Sequence, residues 1–406
     1  MSYNHGMDSL EKLSLLGQYM HYEPAEEVGN TSPAPSLPSC PINSTAVKSK
    51  PNSGACTPAD LPIATAHLPG GKTMPLLKTL LTSACERNCY YCAFRSGRDF
   101  RRTSFTPDEM GQIYMKIYRS GIARGIFLSS GVAGGGIHTQ DRLIAAAEVL
   151  RRKLGYTGYL HLKIMPGAEQ AQVERAMQLA DRVSINLEAP TTERLARLAP
   201  QKVFLDELLT PLRWIDQIRR SQPGEQGWNG HWPSSVTQFV AGGSGETDLE
   251  LLQTSEYLHR KLRLARVYFS GFSPVPDTPL EGQAPIDPWR THRLYQADFL
   301  LRDYGFGVED LPFARSGSLP LDTDPKLAWA RANLADQPVE INQADSHELL
   351  RIPGIGPHGA RAILQARHQN RIRQIDDLKA LGVSAQRAAP FILMDGRMAP
   401  TQLALF

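Results

Sequence analysis

Residues 83–94 read SACERNCYYCAF and place Cys85, Cys89 and Cys92 in a C-x3-C-x2-C run, three of the five cysteines in the 406-residue chain. Thiolates this close together suit a metal. Structural zinc takes four protein ligands, commonly in paired C-x2-C units. Only one such unit occurs here, and no cysteine pair follows it. A cubane [4Fe–4S] cluster is normally held by four cysteines, so three would leave one iron open to a substrate or cofactor. The other two cysteines, Cys40 and Cys56, lie in a Pro/Ser/Asn/Thr-rich stretch without apolar periodicity. Such a stretch cannot bury enough surface to offset its ordering entropy, and its thiols are read as incidental.

Outward from the cysteine loop the sequence alternates short apolar strands with helices. PLLKTLLTS leads into the loop. TPDEMGQIYMKIYRSG follows, with Thr106 as N-cap, Pro107 in the first turn, Glu109 completing a capping box and Gly121 past the end. GIFLSSG, YLHLKIMPG, RVSINLEAP, VTQFVAGG and RVYFSGFSP read as further strands. The stretches between them, among them RLIAAAEVLRRKLG and AQVERAMQLA, read largely as helices. Strands separated by helices imply parallel pairing with right-handed crossovers, in an open sheet or a barrel. Functional residues of such folds gather where strands end. The cysteine loop, SSGVAGGG, EAP and AGGSGE all fall at strand ends.

The cysteine spacing, with Tyr91 just before the third thiol, resembles the radical SAM superfamily. That resemblance implies an α/β fold, a partial (β/α) barrel, with a [4Fe–4S] cluster on Cys85, Cys89 and Cys92. S-adenosyl-L-methionine (SAM) would chelate the open iron through its amino and carboxylate groups, with Tyr91 near the adenine. It implies Ser129, Ser130 and Gly131 at the methionyl amino group, and Lys163, Asn186 and Glu188 at the ribose or carboxylate. Gly242 and Gly243, in a VAGGSGE turn with Glu246, would lie beside the adenine. The chemistry implied is reductive cleavage of SAM to methionine and a 5′-deoxyadenosyl radical, which takes a hydrogen atom from an unactivated position. It requires a low-potential electron donor. No side chain is singled out as catalytic.

A second pattern occupies residues 339–367, VEINQADSHELLRIPGIGPHGARAILQAR. Asp345 and Glu348 form a capping-box signature for a short helix ending near Ile352. PGIG is a tight turn, and Pro357 starts a second helix. This resembles a helix-hairpin-helix motif of the kind found in DNA-uptake and DNA-repair proteins. In it the backbone N–H groups of the hairpin and the second helix's N-terminus form an anion site. Gly354, Ile355, Gly356, Arg361, Arg367 and Arg371 are the nucleic-acid candidates, gripping the backbone with low sequence specificity. Arg373 adds to the same local charge. A weaker echo, IDDLKALGVSAQRAAPFIL, turns at Gly382 and caps its second helix with Ser384. The two patterns together resemble radical SAM proteins fused to a C-terminal helix-hairpin-helix domain, a family described as DNA modification or repair proteins. The last residues, QLALF, resemble the peptide by which bacterial replication and repair proteins dock on the sliding clamp, through Gln402, Leu403, Leu405 and Phe406.

The expected divisions are an N-terminal helical segment (1–28), a flexible Pro/Ser-rich segment (29–70), the radical SAM core (71–310), a helical linker (311–337), a small all-α helix-hairpin-helix domain (338–396) and the tail (397–406). A net charge of +3 is too small to name a partner, so any basic surface must be local. No apolar run approaches the roughly 18–20 residues of a membrane span, and MSYNHGMDSLEKL lacks the features of a secretory signal. A cytoplasmic setting follows as the default. There thiols stay reduced and serve as ligands more often than as disulfides. Three functions fit these residues: a radical SAM enzyme acting on DNA in repair or modification, one acting on RNA, or a DNA-binding protein whose iron–sulfur cluster performs no turnover.

Overall fold

In the computed structural model, residues 7–17, 61–67 and 72–398 are described. The chain divides into two compact units, 1–245 with 262–286 and 246–261 with 287–406. The stretch 287–310, assigned to the core from sequence, therefore counts with the second unit.

The first unit is built on a seven-stranded sheet of linear order β1 to β7. Its strands are β1 (Ile63–His67), β2 (Thr73–Leu80), β3 (Gly125–Ser129), β4 (Tyr159–Lys163), β5 (Arg182–Ser184), β6 (Ser234–Ala241) and β7 (Arg266–Gly271). All neighbours from β2 to β7 pair in parallel. A linear order leaves two edges, so the barrel is partial, as expected. The parallel strands are short and apolar because both faces are covered: β3 is buried throughout, and β6 at all but its first residue.

Helices α1 (Ser9–Gly17), α2 (Pro107–Arg119), α3 (Gly136–Glu148), α4 (Gln170–Met177), α5 (Thr192–Leu198) and α6 (Thr210–Ser221) complete this unit. Helix α2 carries the expected capping box, with Thr106 accepting from the Glu109 N–H. Helix α1 is the described part of the helical segment expected over 1–28. It buries Leu13 and Leu16 but leaves Leu10 exposed, and Lys12 reaches Glu109 on α2 at 2.6 Å. Cys40, Cys56 and Gln402–Phe406 lie outside the described residues.

One expectation is corrected here. Residues 63–67, placed in the flexible 29–70 segment, form β1, which pairs antiparallel with β2 from Ile63↔Leu77 to His67↔Thr73. The small and polar IATAH carries little strand signal of its own. Its order comes from the ladder with β2, a contact invisible to local composition.

The second unit contains α7 (Asp248–Leu262, whose last residue counts with the first unit), α8 (Pro288–Asp303) and α9 (Pro325–Asn333), then β8 (Val339–Glu340), α10 (Ser346–Arg351), α11 (Pro357–Gln369), α12 (Ile375–Ala380), α13 (Ala385–Ala388), β9 (Ile392–Met394) and β10 (Arg397–Met398). The module expected to be all-α is mostly helical but also holds a three-stranded sheet of order β10-β9-β8. Its core gathers Ile341, Leu349, Ile352, Ile355, Ile363, Leu378 and Ile392.

Candidate active site and hairpin module

The cysteine loop follows β2 and is tied down on both sides. Toward the end of β3, the Glu86 N–H donates to the Val132 carbonyl at 2.8 Å, and the Glu86 carboxylate accepts from the N–H groups of Gly134 and Gly135 at 3.1 Å. Toward α5, the Tyr90 N–H donates to the Leu198 carbonyl at 2.7 Å and the Asn88 N–H to Gln201 at 3.1 Å. Arg87 pairs with Glu207 at 2.6 Å. Behind the loop, the Arg102 guanidinium donates to the carbonyls of Ser83, Phe94 and Arg95 at 2.7–3.0 Å. An arginine fork saturated by loop carbonyls fixes the loop's conformation more than any single bond could.

Cys85, Cys89 and Cys92 are free thiols that line one pocket of about 80 Å³. Lining it with them are Tyr91, Ser129, Ser130, Gly131, Lys163, Asn186 and Glu188. The β3, β4 and β5 strand ends thus converge on the thiols, as the sequence predicts. Gly242 and Gly243 are not brought to this lining. A Cβ on Gly242 would meet Ile286, and one on Gly243 would meet Leu198 at 2.8 Å. The turn is packed close behind α5, where small residues are a steric need. No group of three His, Cys, Asp or Glu among the described residues is arranged around a single ion.

Two further cations line the pocket that the sequence reading missed: Lys202 and Arg87. Lys202 donates to Glu188 Oε1 at 2.9 Å, with side chains only 10% and 4% exposed. Burial opposes both charges. The Lys202 and Lys163 ammoniums nevertheless hold the Glu188 carboxyl below its usual range. Burial likewise disfavours the Lys202 ammonium, but Glu188 and Cys89 outweigh it and raise that group. Tyr91 is pushed well up by burial and by the Glu188 carboxylate, so its hydroxyl stays protonated. Burial pushes the Cys89 thiol up while Lys202 pulls it down, and ligation to a cation would hold it as thiolate.

Glu188 has a left-handed backbone at φ 65°, which costs a non-glycine residue on the order of 1–3 kcal/mol. It is held there by its N–H on the Gln238 carbonyl at 2.9 Å and by Val240 donating to its own carbonyl at 2.7 Å. Its second oxygen, Oε2, is buried without a hydrogen-bond partner among the described residues. A buried acceptor left open carries a penalty unless a ligand completes it. Gly131 forms a matching cradle: a Cβ there would sit 2.3 Å from the Ala84 carbonyl oxygen and 3.2 Å from Cys85 Cβ. Backbone is thereby allowed against the cysteine loop where a side chain would obstruct it. An orphaned carboxylate oxygen, three gathered thiols and a side-chain-free wall suit a metal cluster with a cationic, hydroxyl-bearing ligand.

In the second unit, Asp345 caps α10 by accepting from the Glu348 N–H at 2.8 Å, and the Asp345 N–H donates to Glu348 at 2.8 Å. The hairpin that follows buries Ile352 and Ile355 and turns through Gly354 at φ 86°. A Cβ on Gly354 would lie 2.4 Å from the Ser384 carbonyl oxygen, so position 354 is closed to side chains twice over. Ser384, expected as a cap, makes no side-chain capping bond; its N–H instead donates to the Gly354 carbonyl at 3.1 Å. That bond ties the second hairpin to the first. Gly356 heads α11 with no side-chain cap, leaving the first-turn N–H groups for an anion.

The arginines divide. Arg361 is exposed, and among the described residues its guanidinium is bonded only to the Pro357 carbonyl one turn back. Arg371 is exposed and paired with Asp395 at 2.9 Å. Arg367 turns inward onto the carbonyls of Ile341 and Ala344, at 3.4 and 2.5 Å, so its charge is used within the module.

Residues 79–258 match the Radical SAM superfamily, and residues 335–383 match the helix-hairpin-helix motif. No curated protein sequence matches the chain. Among solved structures, the chain is similar to methylornithine synthase (PylB), with 16% identity over 56% of this chain and 61% of that one and a TM-score of 0.45. It is similar to the FeFe-hydrogenase maturase HydG from Carboxydothermus hydrogenoformans, with 15% identity over 56% and 51% of the two chains and a TM-score of 0.44. A radical SAM methyltransferase from Sphaerobacter thermophilus gives 14% identity over 60% and 76% and a TM-score of 0.42. The chain spans less than two thirds of the length of the first two. It carries a Radical SAM superfamily domain with a helix-hairpin-helix motif C-terminal to it.

Proposed function

We propose that the chain is a radical SAM enzyme that acts on nucleic acid, with DNA as the polymer and repair or modification as the outcome. The observation that carries this reading is the convergence of Cys85, Cys89 and Cys92 with the unsatisfied Glu188 carboxylate in one pocket of a radical SAM domain. Cys85, Cys89 and Cys92 would hold a [4Fe–4S] cluster, leaving one iron for the cofactor. When bound, the cluster and SAM supply a 5′-deoxyadenosyl radical for hydrogen abstraction, with the electron coming from a low-potential donor.

The chain's own residues bind, orient and exclude water. Glu188 would accept from an ammonium or hydroxyl of the cofactor, and Lys202 keeps that carboxylate ionised and fixed. Lys163, a buried residue on the same lining, would balance a carboxylate of the cofactor. Gly131 lets the β3 end approach the methionyl portion, beside Ser129, Ser130 and Asn186. Tyr91 closes the adenine side. Leu80, Ile164, Met165 and Ile185 line the same pocket and keep it dry.

The hairpin module supports nucleic acid as the substrate through the uncapped head of α11 and exposed Arg361, with Arg371 on the same module. Such contacts read phosphates and little sequence. Docking on a sliding clamp through Gln402, Leu403, Leu405 and Phe406 rests on the sequence of the tail, and favours DNA over RNA. No helix among the described residues is long and apolar enough to cross a membrane, which accords with a cytoplasmic setting.

The test is anaerobic reconstitution with iron, sulfide and dithionite, followed by assay for 5′-deoxyadenosine with and without duplex DNA, single-stranded DNA and RNA. The expected result is product from wild type, none from Cys89→Ala, and acceleration by DNA. Acceleration by RNA alone moves the chemistry to RNA. Equal product from the two proteins, or none from wild type, defeats the enzyme reading.

A further inference from the structure

We infer that the phosphate site of the C-terminal module extends past the helix-hairpin-helix motif into a cleft beside the hairpin, where Lys326 and Arg387 receive a phosphate of the bound strand. The inference deepens the nucleic-acid reading of the module and rests on it.

The cleft has a volume of about 320 Å³, and Tyr304, Lys326, Gly354, Gly356 and Arg387 line it. Lys326 comes from the first turn of α9, outside the matched motif, and is 8% exposed. Its ammonium donates to the Ile355 carbonyl of the hairpin at 2.5 Å and sits 4.6 Å from the centroid of the Tyr304 ring. The Ile355 carbonyl is its one hydrogen-bond acceptor among the described residues, so two N–H bonds of a mostly buried ammonium lack a protein acceptor. A lysine placed for stability alone would be buried with a carboxylate, because an uncompensated buried charge is costly. Asp324, the carboxylate that acts on Lys326, is engaged elsewhere. It caps α9 by accepting from the Leu327 N–H at 2.9 Å and pairs with Arg387.

What the ammonium lacks is an anion, and the hairpin presents the other half of an anion site. Gly356 begins a 13-residue helix without a side-chain cap, and a Cβ at Gly356 would come within 3.2 Å of the Tyr304 hydroxyl. A phosphate in the cleft therefore meets helix-terminal N–H groups, the Lys326 ammonium and the exposed Arg387 guanidinium together.

The charged and titratable groups around Lys326 are Tyr304 at the end of α8, Asp324 at the head of α9 and Arg387 on α13. Burial, reinforced by Arg387 and opposed by Asp324, brings the ammonium down to about 7. Lys326 is thus charged below about pH 7 and loses its charge above it. An arriving phosphate favours the charged form, so binding takes up a proton and weakens as pH rises.

The experiment measures binding of a labelled DNA oligonucleotide to the full chain by fluorescence anisotropy, at constant ionic strength, at about pH 6 and about pH 8.5. Wild type is expected to bind about tenfold more tightly at the lower pH. Lys326→Gln, which keeps a donor for Ile355 but no charge, is expected to abolish that ratio. It should also reduce the salt slope at the lower pH by about one. Arg361→Gln, outside the cleft, should weaken binding at both pH values and keep the ratio. Arg387→Gln, at an exposed position, should lower affinity and salt slope at both, and reads the same cleft if Lys326→Gln fails to melt cooperatively. Wild-type binding with an unchanged pH ratio in Lys326→Gln, or an unchanged affinity in Arg387→Gln, overturns the inference and leaves the module's reading intact. Absence of wild-type binding at about pH 6 overturns both.

Discussion

Replacing Glu188 with glutamine isolates the electrostatics of the cysteine pocket from its shape. The side chain keeps its volume and one acceptor, but Lys202, at 10% exposure, loses the carboxylate that compensates its burial. Breaking a buried pair by removing one partner typically costs 3–5 kcal/mol, because the survivor is left desolvated. For a domain of this size each kcal/mol moves the melting temperature by about 2–4 °C, so the expected drop is roughly 6–20 °C. The assay is thermal unfolding of metal-free protein in reducing buffer, followed by near-UV circular dichroism. Lys202→Met alone should also destabilise, since it strands Glu188. The double variant should recover most of the loss, giving a coupling energy of about 2 kcal/mol or more between the two sites. A drop under about 1 kcal/mol in Glu188→Gln, or strictly additive losses in the double variant, would refute the view that this pair holds the pocket together.

Three more perturbations bear on separate parts of the molecule. Gly131→Ala puts a Cβ 2.3 Å from the Ala84 carbonyl oxygen, so the backbone must move; a loss of about 1–3 kcal/mol and fewer irons retained per chain are expected. Wild-type melting together with wild-type iron content would count against the cradle. Gly354→Ala meets both a φ of 86° and the Ser384 carbonyl oxygen at 2.4 Å, with an expected loss of at least about 1–2 kcal/mol and weakened oligonucleotide binding. A Gly354→Ala chain that melts and binds like wild type would contradict the hairpin packing. Asp310 is disfavoured as an anion by burial, yet the Arg351 guanidinium and the Gly307 N–H together bring its carboxyl below its ordinary 3.8. A depressed carboxyl stabilises the fold above its unfolded value and loses that contribution as pH falls through the folded one. Asp310→Asn should therefore narrow the difference in stability between neutral pH and about pH 3, measured by urea unfolding.

Legibility from sequence followed the range of each signal. The thiols Cys85, Cys89 and Cys92, the caps at Thr106 and Asp345 and the turn at Gly354 are specified within a few residues; the structure gathers the thiols around one pocket and forms both caps and the turn. Strands β2 to β7 were readable because parallel strands covered on both faces are nearly continuous apolar runs. Lys202 was not readable. It follows α5 in an ordinary stretch, APQKVF, and acquires meaning only because the chain returns beside Glu188. Arg367 is the converse case: a basic residue on a helix was grouped with the nucleic-acid candidates, whereas carbonyls from the segment preceding α10 accept from its guanidinium. Gly242 and Gly243 were grouped with the pocket by resemblance, yet their small size serves packing against Ile286, Leu198 and Phe272.

Strand β1 carries a consequence for how the molecule can be shortened. It covers the backbone of β2 on the side away from β3, and the Lys78 N–H bonds to the Pro62 carbonyl at 2.9 Å just ahead of it. Trimming the chain to the cysteine-bearing portion would bare that row of amides next to the fully buried Leu76 and Leu77. A flat apolar strand with unmet donors is a template for another copy, so such a fragment would be prone to self-association even with every thiol in place.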